Sequence, residues 1–429
     1  MGSVKKHSDL LSGTKALVAL VWLFRIIVGG VFVLSGVTKL IDLWGTVFKI
    51  EDYIEVWSID VPRTVVMMGA LLLSTFEFSS GLLLLTGCYR RVVTWLLLAC
   101  MLFMLPLTAY IWVADPVSDC GCFGDYLVID NATTFWKNVI IVILVVFLIR
   151  HNRKASSLFK APIQWMIVTV AMFYCLTVSL IGYNIQPLLD FRPYPVGSPL
   201  ISETIDEDEQ VMFKYSRNGE ERLFAVDSLP EDGEGWEFVD RVVESGLTSE
   251  QLVIFDPVSG EDVTYDYISD VDSLLLLVIP EPARADLSYT YSINELADAV
   301  VRRGGNVVAL LATGEKGIGR WQDHSMASYP CLSADDTQLK QLARGVMSMV
   351  WVTNDTIRWK RTVASISLDE VESVSRDNMP LSALGFDGEK YMRQITALLL
   401  IILVAIYILQ IAAIKLPHIG CHKQSKGVA

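Results

Sequence analysis

The organisation of this chain turns on one stretch, Asp115-Pro116-Val117-Ser118-Asp119-Cys120-Gly121-Cys122-Phe123-Gly124-Asp125. It is a short acidic loop between two apolar runs of membrane-spanning length, so two thiols lie at a membrane surface. Cysteines separated by one glycine can reach the Cα separation of about 4.4 to 6.8 Å that a disulfide needs, but only in a tight ring. Because strained disulfides are the readily exchanged ones, the first hypothesis is electron transfer between these thiols and a component of the bilayer.

Apolar residues make up 52% of the 429 residues, which excludes an ordinary soluble enzyme. Runs near the roughly 20 residues needed to cross the hydrocarbon core predict six transmembrane helices, at about residues 16–40, 64–87, 92–113, 134–150, 162–183 and 392–413. The first run is too long for a signal peptide and lacks a small-residue cleavage pattern, so we expect it to remain as an anchor. The chain is therefore expected to be a multi-pass α-helical membrane protein.

Basic residues set the expected orientation of the spans. They precede the first span and follow the second and fourth, at Lys5, Lys6, Lys15, Arg90, Arg91, Arg150, Arg153, Lys154 and Lys160. Such segments face the cytoplasm, whereas the acidic connections fit the opposite side. We therefore expect a bacterial inner-membrane protein with both termini cytoplasmic and residues 184–390 periplasmic.

Charge separates the long polar segment from the rest of the chain. Residues 184–390 hold 37 acidic and 17 basic residues, a net charge of −20, and the remainder is net positive by 7. This acidity argues against nucleic-acid binding and is typical of a soluble exported surface, with docking of a basic partner as the alternative. The partners expected from sequence are the lipid bilayer and a periplasmic thiol or envelope protein.

The chain divides by pattern into five segments. Residues 1–155 form a four-helix membrane core, 156–183 a fifth span, 184–263 an irregular collar or small β element, 264–390 an α/β domain, and 391–429 the sixth span with its tail. The βαβ then αββ pattern of the α/β domain resembles a thioredoxin-like fold. The helix start expected to carry Cys-x-x-Cys instead has Gly314-Glu315-Lys316-Gly317-Ile318-Gly319, and Cys331 is the domain's lone thiol. We expect a catalytically silent module for binding or positioning.

Two charged residues lie inside expected spans. Arg25 and Glu77 each lie about ten residues from the cytoplasmic end of their helix, roughly 14 Å deep at 1.5 Å per residue. Buried charges at that depth usually pair or line a polar cavity. We therefore expect an Arg25–Glu77 contact, either as a structural ion pair or as part of a cavity for a quinone or a proton path.

Charged residues are also expected near the thiols. Lys39 and Lys137 fall at the level of the cysteine loop, where an ammonium group favours thiolate, while Asp119 and Asp125 oppose it. The usual role of such lysines is only to reach the membrane interface. No cysteine pair has zinc-ligand spacing with histidines nearby, so no metal site is predicted.

The first four spans carry a recognisable series of motifs. It runs through Arg25-Ile26-Ile27-Val28-Gly29-Gly30-Val31-Phe32, Ser35-Gly36-Val37-Thr38-Lys39-Leu40-Ile41-Asp42, Lys49-Ile50-Glu51-Asp52-Tyr53, Glu77 before Gly81-Leu82-Leu83-Leu84-Leu85-Thr86-Gly87, and Asp119-Cys120-Gly121-Cys122-Phe123-Gly124-Asp125. Over about residues 16–150 this resembles the DoxX and MauE superfamily of four-helix membrane proteins, specifically its MauE-like branch and the longer forms found in Bacteroidetes. The resemblance implies that Cys120 and Cys122 are a redox pair, with a role related to methylamine utilisation or to quinone-coupled sulfur oxidation.

Three hypotheses of function follow. The first is a membrane thiol–disulfide oxidoreductase in which Cys120 and Cys122 exchange with a periplasmic partner and pass electrons to quinone. The second is a non-catalytic assembly or scaffold factor in which the pair only braces its loop. The third is soft-metal binding by the thiols, which the lack of further Cys, Met or His ligands in the loop disfavours.

Overall fold

The computed structural model describes residues 2–117, 119–201, 211–217, 220–225, 237–243, 252–268 and 271–415. These fall into two compact units. One comprises Met1–Arg192 and Phe386–Ala429, and the other comprises Pro193–Gly385. We call them the membrane unit and the sheet unit and describe each by itself.

The membrane unit is built from seven of the described helices. They are α1 (Gly2–Ile41), α2 (Leu43–Val56), α3 (Arg63–Thr86), α4 (Arg90–Ala114), α5 (Asn131–His151), α6 (Gln164–Asn184) and α12 (Gly388–Lys415). Among the described residues, all of these except α2 are long and apolar enough to cross a membrane. The six spans expected from sequence are thus confirmed to within a few residues at most ends, and the chain is a multi-pass membrane protein.

Helix α2 was not expected from sequence. Its apolar residues Leu43, Val47, Ile50 and Ile54 recur at helical spacing and pack against the first turns of α3. The helix begins where the Asp42 carboxylate accepts a hydrogen bond from the Gly45 amide at 2.9 Å. The connection between the first two spans is therefore a second layer of helix rather than an open loop.

Helices α1 and α3 approach each other closely. A Cβ atom added at Gly36 would lie 2.3 Å from the backbone nitrogen of Phe78, and one at Gly81 would lie 2.6 Å from the backbone nitrogen of Val33. Only glycine permits such backbone contact in a membrane helix pair. This fixes the register of α1 against α3 and places Ser35 beside Glu77.

Within its described residues, the sheet unit holds a three-stranded and a six-stranded sheet. The first, in the order β2 (Glu220–Ala225), β1 (Val211–Arg217), β3 (Glu237–Val243), is antiparallel. It lies in the segment expected to be an irregular collar or a small β element. The second has the order β4 (Ile254–Phe255), β7 (Cys331–Ala334), β6 (Asn306–Leu311), β5 (Ser273–Ile279), β8 (Ser348–Thr353), β9 (Thr356–Thr362).

Strand direction divides the larger sheet. Strands β5, β6 and β7 are parallel, whereas β8 and β9 form an antiparallel hairpin beside β5. The hairpin turns at Asn354 and Asp355, whose φ values of 48° and 56° are the left-handed pair that such two-residue turns require. Buried apolar residues line both faces of the sheet, so it is the central layer of the unit.

Five α-helices are seen in the described part of the sheet unit: α7 (Thr264–Ile268), α8 (Thr290–Arg302), α9 (Glu315–Ser325), α10 (Asp336–Leu342) and α11 (Leu368–Arg376). Ser292 is buried inside α8, and Trp321 is buried inside α9. Helix α11 was not expected. It is stabilised by a reciprocal capping box between Ser367 and Glu370.

Candidate functional site

The site is centred on two thiols in the cysteine loop, which we define as residues 115–130. The Sγ atoms of Cys120 and Cys122 are 2.8 Å apart, and both cysteines are free and half-buried. Gly121 between them has φ +66°, a left-handed conformation that folds the chain back on itself. The Gly124 amide then donates to the Gly121 carbonyl at 3.2 Å and closes the turn. The two sulfur atoms are therefore within reach of a shared proton or of a bond.

Helix α2 holds the cysteine loop from one side. The Lys49 ammonium lies 2.6 Å from the Asp119 carboxylate, which also accepts a hydrogen bond from the Gly121 amide at 2.7 Å. The Tyr53 hydroxyl donates to the Cys120 carbonyl at 3.1 Å. Burial, together with negative charge at Cys120 and Cys122, raises the pKa of Tyr53 well above its usual value, so it stays a neutral donor.

Helices α1 and α3 hold the loop from the other side through a buried polar group. The Lys39 ammonium lies 2.8 Å from both carboxylate oxygens of Glu77, and each residue is 6% exposed. Ser35, one turn before Lys39, contacts the same group, with its Oγ 2.9 Å from Glu77 Oε2, 2.6 Å from the Cys122 carbonyl oxygen and 3.3 Å from Lys39 Nζ. Ser35 therefore joins the charge pair directly to the backbone of the redox loop.

The two thiols differ in acidity because they share one proton. The hydrogen bond from Cys120, helped by the Lys137 and Lys39 ammonium groups, lowers the pKa of Cys122 to about 6 against the opposing effect of burial. The same hydrogen bond, together with burial, raises the pKa of Cys120. The reduced pair is therefore best described as a Cys122 thiolate that accepts a hydrogen bond from the Cys120 thiol.

Two more of the expected residues take distinct positions in the loop region. The Lys137 ammonium, on α5, lies 4.5 Å from the ring centroid of Phe123, which is buried. Asp125 is exposed on the turn after Phe123. The structure thus brings Lys39, Lys137 and Asp119 to the thiols, as their place in the sequence suggested, while Asp125 faces solvent.

The expected contact between Arg25 and Glu77 is wrong. The Arg25 guanidinium donates to the Asn152 side chain at 2.6 Å, to the Asn152 carbonyl at 2.8 Å and to the Ser156 carbonyl at 2.9 Å. These acceptors follow the end of α5. Glu77 instead contacts Lys39, fourteen residues from Arg25 and therefore about 21 Å away along α1. The two residues lie toward opposite ends of the bundle and cannot line one cofactor cavity.

The sequence motifs include Ser35, Lys49 and Tyr53, but sequence reasoning assigned none of these three residues a role at the site. A signal was present, because Ser35 and Lys39, and likewise Lys49 and Tyr53, are four residues apart and so share a helix face.

A cavity of about 420 Å³ opens beside the loop, lined by Lys49, Asp52, Glu55, Val56, Pro116 and Val117.

Other ligand-type residues are dispersed. Within the residues that the structure describes, no group of three or more His, Cys, Asp or Glu side chains is arranged to hold a metal ion. In the sheet unit, Cys331 is 4% exposed on β7, and burial raises its pKa to about 11. This thiol is protonated and covered at neutral pH.

Six spans with a free thiol pair in the loop between the third and the fourth define a multi-pass membrane protein with a candidate redox centre at one end of its helical bundle. Residues 17–151, which hold every residue of that site, match the family model of the Methylamine utilisation protein MauE. The matched segment is about a third of the chain, and the match confirms the resemblance to the MauE family seen in the motifs of that segment. Residues 210–244 match a domain of unknown function (DUF8463). No curated protein and no solved structure matches the chain.

Proposed function

We propose that the protein is a membrane thiol–disulfide exchange protein in which Cys120 and Cys122 are the redox pair. The observation that carries the proposal is the 2.8 Å approach of the two sulfur atoms, with the pKa of Cys122 lowered to about 6. Exchange requires an accessible thiolate and a second thiol within bonding reach of it. The half-exposed loop and the short distance between the two sulfur atoms support both conditions.

Exchange proceeds through a mixed disulfide. A thiolate of one protein attacks a disulfide sulfur of the other, one S–S bond breaks as another forms, and the second thiol of the attacking protein then releases the mixed disulfide. Two electrons move from the dithiol that becomes a disulfide to the disulfide that becomes a dithiol. Cys120 and Cys122 can take either part.

The partner is proposed to be a periplasmic thiol or envelope protein. Basic residues before the first span and after the second and fourth support a bacterial inner-membrane location with cytoplasmic termini and residues 184–390 on the exported side. The cysteine loop then faces the compartment where disulfides persist. Kinship with MauE supports a maturation role of the kind implied by methylamine utilisation.

A membrane quinone is the electron acceptor that we propose for recycling the pair. The loop contacts α1 through Ser35 and α5 through Lys137, and both helices are membrane spans, which supports access by a lipid-soluble carrier. Arg25 takes no part in this step, because its guanidinium binds carbonyls following α5 at the other end of the bundle.

The sheet unit is proposed to be a thioredoxin-like module that binds the partner without exchanging electrons. A parallel βαβ pair, β5 and β6, is continued by the antiparallel hairpin β8 and β9 on the other side of β5, which supports that fold. Its one cysteine, Cys331, is buried. The role proposed for this unit is therefore recognition of the partner protein.

A redox titration tests the proposal. Purified full-length protein in detergent is equilibrated across a glutathione series, and its free thiols are counted with a mass-tagged alkylator. We expect Cys120 and Cys122 to titrate together and reversibly, and Cys122→Ser to abolish the transition. Cys331→Ser is the control and should leave it unchanged. A pair that remains free, or oxidised, at every potential would exclude exchange.

A scaffold role is the second candidate, and the anchoring of the loop favours it. Lys49, Tyr53 and Ser35 each bind a group of the loop, and Asn131 binds both Asp115 and the Val117 carbonyl. A loop held at so many points could use its cysteines only as a brace. The same titration distinguishes the two, because a brace resists mild reduction whereas a catalytic pair exchanges readily.

A further inference from the structure

Charged and titratable groups surround Cys122 from every helix packed against the loop. Helix α1 contributes Lys39, α3 contributes Glu77, and α5 contributes Lys137. Helix α2 contributes Lys49 and Tyr53, of which Lys49 is paired with Asp119. Once that pair and the solvent-exposed Asp125 are set aside, two cations and one carboxylate act on the thiol pair.

Lys39 is held in place more firmly than an interface lysine. Its ammonium contacts both oxygens of Glu77 and the Oγ of Ser35, and it is buried. The Gly36 contact with the Phe78 backbone fixes the helices that carry these residues. Ser35 donates onward to the Cys122 carbonyl, so the ammonium lies within two hydrogen bonds of the redox residue.

The two redox states differ in net charge at this site. In the reduced state Lys39, Lys137, Glu77 and the Cys122 thiolate sum to zero. In the disulfide state the thiolate is lost, and an uncompensated positive charge remains in a half-buried environment. Because uncompensated charge is costly away from water, the arrangement stabilises the reduced state. When the reduced form of a thiol pair is stabilised, its disulfide form is a stronger oxidant of other dithiols.

We infer that the Lys39–Glu77 pair holds a fixed ammonium beside Cys122, and that this charge sets the direction of exchange: the pair takes electrons from partner dithiols. The inference rests on the proposed exchange function and makes Lys39 a positioning residue of that site.

The direction assigns a separate role to each sulfur. A partner thiolate attacks Cys120 Sγ, the Cys120–Cys122 bond breaks, and Cys122 leaves as the thiolate, since the thiol of lower pKa is the better leaving group. The partner protein's second thiolate then attacks the partner sulfur that is bonded to Cys120. This attack forms the partner's disulfide and releases Cys120, which takes up a proton. The partner has lost two electrons and two protons, of which one proton lies on Cys120 and the other is in solvent.

The test measures the thiolate titration and the glutathione equilibrium in Lys39→Met, Glu77→Gln and Lys39→Arg variants of the full chain. Lys39→Met should raise the pKa of Cys122 by about one unit or more, the usual effect of losing a nearby opposite charge. The equilibrium of the Cys120–Cys122 pair with glutathione should shift about tenfold toward the disulfide. For a two-electron couple this makes the reduction potential of the pair about 30 mV more negative. Lys39→Arg keeps the charge and should stay near the parent protein.

Glu77→Gln keeps the shape and a hydrogen-bond acceptor but removes a negative charge. It should therefore shift both quantities in the opposite direction, toward a lower thiolate pKa and a more oxidising pair. Arg91→Gln, on the exposed start of α4, is the matched control and should change neither. Opposite shifts cannot arise from loosened packing, which would affect Lys39→Met and Glu77→Gln alike.

The outcomes separate this inference from the function on which it rests. If the parent pair does not titrate, the exchange function itself fails. If the parent pair titrates but Lys39→Met and Glu77→Gln shift in the same direction, or neither shifts, exchange stands and the assignment of direction to Lys39 is overturned.

Discussion

The Lys39 ammonium is 2.8 Å from each carboxylate oxygen of Glu77, so one cation satisfies both oxygens of a buried acid. The contact joins the last turn of the first span to the interior of the second. It also accounts for two charged residues inside apolar helices, which are costly unless paired. The pair has structural and chemical consequences that can be measured separately.

Removing one member of the pair should destabilise the protein. Glu77→Leu leaves the Lys39 ammonium buried without its counter-charge, and breaking such pairs costs about 3 to 5 kcal/mol of unfolding free energy. The double variant Lys39→Met with Glu77→Leu buries no charge and should recover most of that loss. Thermal unfolding in detergent measures both, with Arg91→Gln as the control. A double variant no more stable than Glu77→Leu would show that the pair is not the cause.

Reactivity of the thiols should depend on pH in a specific manner. A pKa of about 6 makes the Cys122 thiolate the major species above that pH, so its alkylation rate should rise through pH 6 and then level off. An ordinary thiol would keep gaining reactivity up to about pH 8.5. Peptide mapping after timed alkylation gives the rate at each site. Buried Cys331, whose pKa is raised to about 11, should remain unmodified until the protein unfolds.

The two glycines of the cysteine loop should tolerate alanine unequally. A Cβ at Gly121 would lie 2.7 Å from Lys49 Cγ, whereas one at Gly124 meets nothing within 4 Å. Both have positive φ, so each alanine carries a left-handed backbone cost of about 1 to 2 kcal/mol. Only Gly121→Ala should also displace Lys49 and change the rate at which oxidised glutathione closes the pair. Equal rates in the two variants would contradict the close contact.

Arg25→Met should loosen the segment after α5 without touching the thiols. The guanidinium is fully buried and binds the carbonyls of Asn152 and Ser156, which would lose this donor. Limited proteolysis within residues 152–160 should accelerate, while the Cys122 titration stays unchanged. A shifted thiol titration in Arg25→Met would restore the hypothesis of one polar cavity shared with Glu77.

Sequence predicted the spans and the redox loop because each depends on local pattern. Apolar length alone locates a membrane helix, and Cys120 and Cys122 are neighbours in the chain. The hairpin turn at Asn354-Asp355 is equally local, since its turn chemistry is contained in those two residues.

The partner of Glu77 could not be read from the chain. Depth was counted from the expected ends of the apolar runs, but α1 extends from Gly2 to Ile41, and Arg25 lies level with the segment that follows α5. The true register depends on Gly36 meeting the backbone of Phe78, a contact between residues 42 positions apart. Helix α2 was missed because its charged face obscured a short apolar stripe.

The direct backbone contact between α1 and α3 at Gly36 has a mechanical consequence. Two helices in direct backbone contact resist sliding along each other, because the contact at Gly36 holds their register. We therefore expect α1 and α3 to tilt together when bilayer thickness changes. Ser35 and Glu77 keep their separation during such a tilt. We therefore expect a change in bilayer thickness to leave the contact between Ser35 and the Cys122 carbonyl unchanged.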